Sequence, residues 1–179
     1  DAIDSDGLAV GTGGAPAGAS RTAVYNLAIG QDNLTIDLGL SNAAKGSFGD
    51  RVWYDNGAGG GVANDGILNG GEIGVAGVTV TLVNAAGQPV DKAGVVTVTP
   101  ITTTTDANGY YAFADLTAGV SFATKFSNLP AGFNFTAKSG AGSTDNNLSD
   151  ADLINGLTPA VAIVANTHNT TLDAGITST

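Results

Sequence analysis

Cysteine and methionine are both absent from this 179-residue chain. Without cysteine there can be no disulfide and no thiolate metal site, so stability must come from the core or from bound ions. Basic residues are scarce: six Lys and Arg stand against sixteen Asp and Glu, a formal net charge of −10 at pH 7. Nucleic acid is excluded as a partner, because neutralising phosphates needs a basic stripe that this chain lacks. Anionic membrane surfaces are excluded on the same ground. What an acidic surface attracts is cations. Aromatic residues make up only 6%, which argues against a carbohydrate cleft, and a single histidine gives no basis for a catalytic triad. No run is long and apolar enough to enter a membrane, and no signal peptide or sorting motif is present. Opening at Asp1 rather than Met, the chain reads as a piece of a longer precursor.

What the chain has in abundance is glycine, 27 residues, together with Thr, Val, Ala, Asn and Asp. That mixture favours strands and turns over helices. Residues 78–82 alternate strictly, placing Val78, Val80 and Leu82 on one face and threonines on the other. Residues 95–101, 110–113, 121–126, 133–137, 159–164 and 170–174 are further expected strands. Turn chemistry separates them at Ala85-Ala86-Gly87, Asp106-Ala107-Asn108-Gly109 and Leu129-Pro130-Ala131-Gly132. Short strands at regular spacing with no helical stripe predict an all-β sandwich or barrel. Trp53 should be core, one of Tyr110 and Tyr111 buried and the other exposed, and His168 a surface residue.

An internal echo sets the organisation. Asn33-Leu34-Thr35-Ile36-Asp37-Leu38-Gly39 repeats as Asn169-Thr170-Thr171-Leu172-Asp173-Ala174-Gly175. An acidic cluster lies upstream of each copy. Residues 1–42 therefore read as the end of a preceding repeat, or as a strand-donating segment, and residues 43–179 as one complete domain.

Two acidic loops carry the candidate chemistry. The stretch ending Asn64-Asp65-Gly66-Ile67-Leu68-Asn69-Gly70-Gly71-Glu72 has the rhythm of an EF-hand loop. Asp65 stands at position five, a turn-permitting Gly66 at six, the Ile67 carbonyl at seven, Asn69 at nine and Glu72 at twelve. A hard Ca²⁺ ion takes six to eight oxygens, which such a loop can offer. Positions one and three fall on Gly61 and Ala63, which have no side-chain oxygen. Asp55 can open the site only if the Gly-rich stretch between loops out. The plainer reading is a solvated hairpin in which Asp and Asn simply make turns. Asp145, Asp150 and Asp152 mark a second expected cation site, with an exposed loop of Asx turns as its alternative.

The ordered motifs Gly49-Asp50-Arg51-Val52-Trp53-Tyr54-Asp55, then Asn64 to Glu72, then Gly77-Val78-Thr79-Val80-Thr81-Leu82, resemble the SdrD-type B-domain repeats of bacterial surface adhesins. Residues 105–119, Ser149-Asp150-Ala151-Asp152 and Thr171-Leu172-Asp173-Ala174-Gly175 continue the match. The resemblance implies a prealbumin- or Cna-B-like antiparallel β-sandwich of Greek-key type, with an N-terminal partial repeat, that binds calcium through Asp55, Asp65, Glu72 and the Ile67 carbonyl. Related domains can carry a Lys–Asn isopeptide bond; here Arg51 occupies the first-strand position, and no such bond is expected. The expected function is a non-catalytic, calcium-stiffened stalk, spacer or fibre module on the bacterial surface or in a secreted fibre. Neighbouring repeats or identical subunits, joined head to tail, are its expected partners. The rival reading is an adhesive domain that binds carbohydrate or protein, such as a host or matrix ligand.

Overall fold

The computed structural model describes residues 44–137 and 147–179, together with Leu8–Ala9, Ser20–Arg21 and residue 29. The chain divides into two compact units, Asp1–Asn42 and Ala43–Thr179. Of the first, a two-stranded antiparallel ribbon is described, β1 (Leu8–Ala9) with β2 (Ser20–Arg21). Its acidic cluster and residues 33–40 lie outside the described residues.

The second unit is an all-β sandwich with no α-helix among its described residues. Its strands are β3 (Lys45–Phe48), β4 (Val52–Tyr54), β5 (Thr79–Val83), β6 (Thr102–Thr104), β7 (Phe113–Thr117), β8 (Ser121–Ser127), β9 (Phe133–Phe135), β10 (Val161–Ala162), β11 (His168–Asn169) and β12 (Ala174–Ser178). They form a four-stranded sheet, β10-β8-β5-β6, and two three-stranded sheets, β11-β3-β7 and β4-β12-β9. Most pairings are antiparallel. Two are parallel: β11 runs with β3, setting His168 opposite Ser47, and β12 runs with β4, setting Gly175 opposite Trp53.

One core joins the three sheets. The alternation in β5 buries Val80 and Leu82, which pack with Phe122 and Phe126 of β8, Phe48 of β3, Leu116 of β7 and Ile176 of β12. Each such side chain removed from water contributes about 1.5–3 kcal/mol, so this cluster accounts for the fold without any crosslink. Trp53 is fully buried, Tyr111 is buried and Tyr110 is half exposed, as the sequence led one to expect. Gly175 must be glycine: a Cβ there would collide with the Thr136 methyl and crowd the Trp53 ring.

The strand expectations need local correction. Residues 95–101 form no regular strand: Val96 bridges Val90, Thr97 N–H donates to Pro89 O and Ile101 O accepts from Leu82 N–H, while Val98 is fully exposed. Pro100 interrupts the alternating Val-Thr pattern, so the strand begins only at Thr102. The strand expected at 110–113 runs instead from Phe113 to Thr117, and the last one is displaced to Ala174–Ser178.

Candidate functional site

The end of β4 delivers Asp55 into the interior, where it is fully buried. The Gly-rich stretch that follows does loop out. A bridge between Asn56 and Ala63 closes its base, and a single turn at Ala58–Gly60 folds it back. Asp55 is thereby set beside the acidic loop despite the extra residues. Its Oδ1 accepts the Asn64 N–H at 2.6 Å and its Oδ2 accepts the Gly66 N–H at 2.8 Å. The Thr136 hydroxyl donates to the same Oδ2, and the Asn64 side-chain oxygen lies 2.8 Å from that hydroxyl. Gly66 sits at φ 73°, the left-handed conformation that lets the chain turn around the carboxylate.

Across the loop, Glu72 is buried, with Oε1 accepting from Gly57 N–H at 2.9 Å and Oε2 from Asn69 N–H at 3.1 Å. Asp65 accepts from Ile67 N–H at 2.9 Å and from the Asn69 amide at 3.0 Å. Asn69 Oδ1 accepts from Val62 N–H at 3.0 Å. The segment 147–149 clamps the loop from the side: Leu68 N–H donates to Asn147 O at 2.7 Å and Ser149 N–H to Gly66 O at 2.8 Å.

The structure therefore brings Asp55, Asp65, Asn69, Glu72 and Ile67 into one loop. Asp55, Asp65 and Glu72 have no basic side chain paired with them; among the described residues the one ion pair is Lys92–Asp115. An all-oxygen set of this kind suits a hard divalent cation. A carboxylate oxygen that accepts a single N–H bond keeps another lone pair for a ligand, as at Asp55 Oδ1, Asp65 and Glu72; Asp55 Oδ2, which accepts from Gly66 N–H and the Thr136 hydroxyl, does not. The carboxylates are nonetheless spread along the loop, and among the described residues no three acidic or histidine side chains converge as a metal cluster.

The second expected site is differently disposed. Asp152 Oδ1 accepts from Ile154 N–H at 3.0 Å and Asn155 N–H at 3.2 Å, an Asx turn. Asp150 is buried, and its Oδ2 accepts the Asp173 N–H at 3.2 Å. Asp145 lies outside the described residues.

A group of acids that sequence reasoning did not single out lies here. Asp173, at the mouth of β12, is fully buried; its Oδ1 accepts the Arg51 N–H at 3.3 Å, while Oδ2 meets no donor. Burial, and then the charge of neighbouring Asp50, push the Asp173 carboxyl up to about 9. Burial likewise raises Asp50 to about 6, against the pull of its Asp173 hydrogen bond, His168 and Arg51. Both shifts favour holding one proton on the Asp50–Asp173 pair. Tyr111 lies near these acids, its hydroxyl donating to Leu172 O at 2.6 Å, with its own proton held tightly by burial. Asp50 and Asp173 are 123 positions apart in sequence, and each was legible only as part of a motif.

The fold is an all-β sandwich with an acidic loop at the end of β4, and the comparisons with known proteins give it a family. The chain belongs to the SdrD B-like domain family, whose model matches residues 46–176. It is 35% identical to serine-aspartate repeat-containing protein E of Staphylococcus aureus over 90% of this chain and 12% of that protein. It is 34% identical to serine-aspartate repeat-containing protein F of Staphylococcus epidermidis over 98% of this chain and 8% of that one. The chain thus spans about a tenth of the length of these relatives. Among solved structures, GBS52, the minor pilin of Streptococcus agalactiae, aligns at 13% identity with a TM-score of 0.45, over 76% of this chain and 45% of the pilin.

Proposed function

We propose that this chain is a non-catalytic structural repeat of a bacterial surface protein, a stalk or spacer module stiffened by Ca²⁺ in the loop from Asp55 to Glu72. The observation that carries the reading is the looped-out segment 57–63: by folding away, it sets Asp55 in the opening position that the rhythm of Asp65, Ile67, Asn69 and Glu72 lacks. Asp55, Asp65 and Glu72 would hold the ion by carboxylate, Ile67 by its carbonyl and Asn69 directly or through water. The ion would cancel charge that no basic residue offsets and tie β4 to the 64–72 turn, which a spacer needs to resist bending. A second ion near Asp145, Asp150 and Asp152 rests on the acidic sequence alone, because Asp145 lies outside the described residues. Family membership, and relatives in which such a chain is a small fraction of the length, support tandem use at the cell surface, with neighbouring repeats as partners. Calorimetric titration with Ca²⁺ tests the assignment. One site lost in Glu72→Gln is expected; heat indistinguishable from dilution would overturn it.

A further inference from the structure

The described sandwich leaves one sheet edge open beside an acidic cavity. Among the described residues β6 pairs with β5 alone. Thr105 N–H donates to Val78 O, and Ile101 O accepts from Leu82 N–H, so residues 101, 103 and 105 turn their main chain toward β5. In an antiparallel ladder that phase turns the N–H and C=O of Thr102 and Thr104 outward, ready for another strand.

Against this edge lies an open cavity of about 500 Å³ lined by Thr104, Asp50, Asp106, Tyr110, Tyr111 and His168. Asp106 uses only Oδ1 internally, accepting from Asn108 and Tyr110 N–H groups. Asp50 and Asp106 are the two carboxylates that line the cavity. Arg51 acts on Asp50 through its charge but forms no ion pair with it; it donates to Asn108 O and stacks 5.3 Å over the Tyr110 ring. His168 is bonded to Ser47, 2.8 Å from Nδ1 to Oγ. A cleft that joins an outward strand edge to two carboxylates has the two elements of strand-addition recognition. Main-chain bonds supply affinity, and a pocket for one alternate side chain supplies specificity.

We propose that this cleft docks an extended polypeptide segment carrying a lysine or arginine, which pairs with the outer edge of β6 and places its cation against Asp50 and Asp106. The occupant is a β-forming segment of another protein, selected by its positive side chain. The charge sets the direction of discrimination: an acidic residue in the same place would meet like charges and be rejected.

The test is amide NMR on the full chain titrated with a capped Thr-Val-Lys-Val-Thr peptide and with its Lys-to-Glu counterpart. Shifts should fall on residues 102–106 and 50, with the lysine peptide binding at least about tenfold more tightly and losing that advantage at high salt. Thr104→Pro, which removes an outward N–H without touching the β5 ladder, should abolish binding while leaving the melting temperature in place. Asp50→Asn with Asp106→Asn, both retaining acceptor oxygens, should erase the preference between the two peptides. Equal binding of the two peptides, shifts mapping away from β6, or no shift at the highest soluble peptide concentration would each overturn the proposal.

Discussion

The loop from Asp55 to Glu72 and the cluster of Asp50, Asp150 and Asp173 are both acidic and both partly buried, yet they treat charge in opposite ways. In the loop, the six carboxylate oxygens of Asp55, Asp65 and Glu72 each accept an N–H or O–H bond. At Asp173 one oxygen meets no donor, and like charges stand beside it. Backbone donors favour the ionised form and burial among acids favours the neutral one. The loop ties its carboxylates to backbone donors, which suits the proposed cation site, whereas burial and like charge ahead of β4 and β12 favour a protonated Asp173.

Removing the best-served carboxylate should have the largest effect. Asp55→Ala leaves the buried Gly66 N–H without an acceptor and takes one of two acceptors from the Thr136 hydroxyl and from the Asn64 N–H, and should cost roughly 3 kcal/mol in denaturant unfolding. A loss under about 1 kcal/mol would show that water replaces the carboxylate easily.

The cluster should respond to pH rather than to truncation. An unfolded Asp loses its proton near pH 4, whereas folded Asp173 keeps its own up to about 9. Between those values the folded state binds the extra proton, so this group's contribution to stability is full below about pH 4 and is lost as pH rises toward 9. The contribution should fall by up to about 1.4 kcal/mol per pH unit. Asp173→Asn supplies an N–H₂ toward Asp50 in place of the shared proton, so it should flatten the difference curve while holding stability near neutral pH within about 1 kcal/mol of the parent. Parallel pH profiles of the two proteins would contradict the shared proton.

Smaller effects grade the loop itself. Glu72→Ala should weaken calcium binding more than Asn69→Ala, because a position-twelve carboxylate can bind through both oxygens and position nine often works through water. Equal titrations of the two variants would break the EF-like register.

The contrast between the two regions also marks how far sequence carried the reading. Elements whose pattern is local were legible: alternation placed β5 and β8 within a residue or so, and the turn at Asp106 to Gly109 stands where its residues suggested. The acidic loop was legible as a rhythm, but whether Asp55 reached it depended on how the 57–63 segment folds, which glycine content leaves open. Pairing across the whole chain was not legible. The parallel registers of β11 with β3 and β12 with β4 join segments more than a hundred residues apart, and they are what bring Asp173 to Arg51 and Asp50. The Val-rich segment 95–101 misled because alternation reports a face to bury, whereas Pro100 interrupts the pattern and Val98 is fully exposed.

The most direct test of the central claim is a pair of thermal melts, one with excess Ca²⁺ and one with EGTA. Ligand at about a hundred times its dissociation constant should add about 2.7 kcal/mol, which for a chain of this size raises Tm by roughly 5–10 °C. Asp65→Asn should shrink that gap. Coincident melting curves for the parent chain in calcium and in EGTA would contradict a calcium-stiffened repeat.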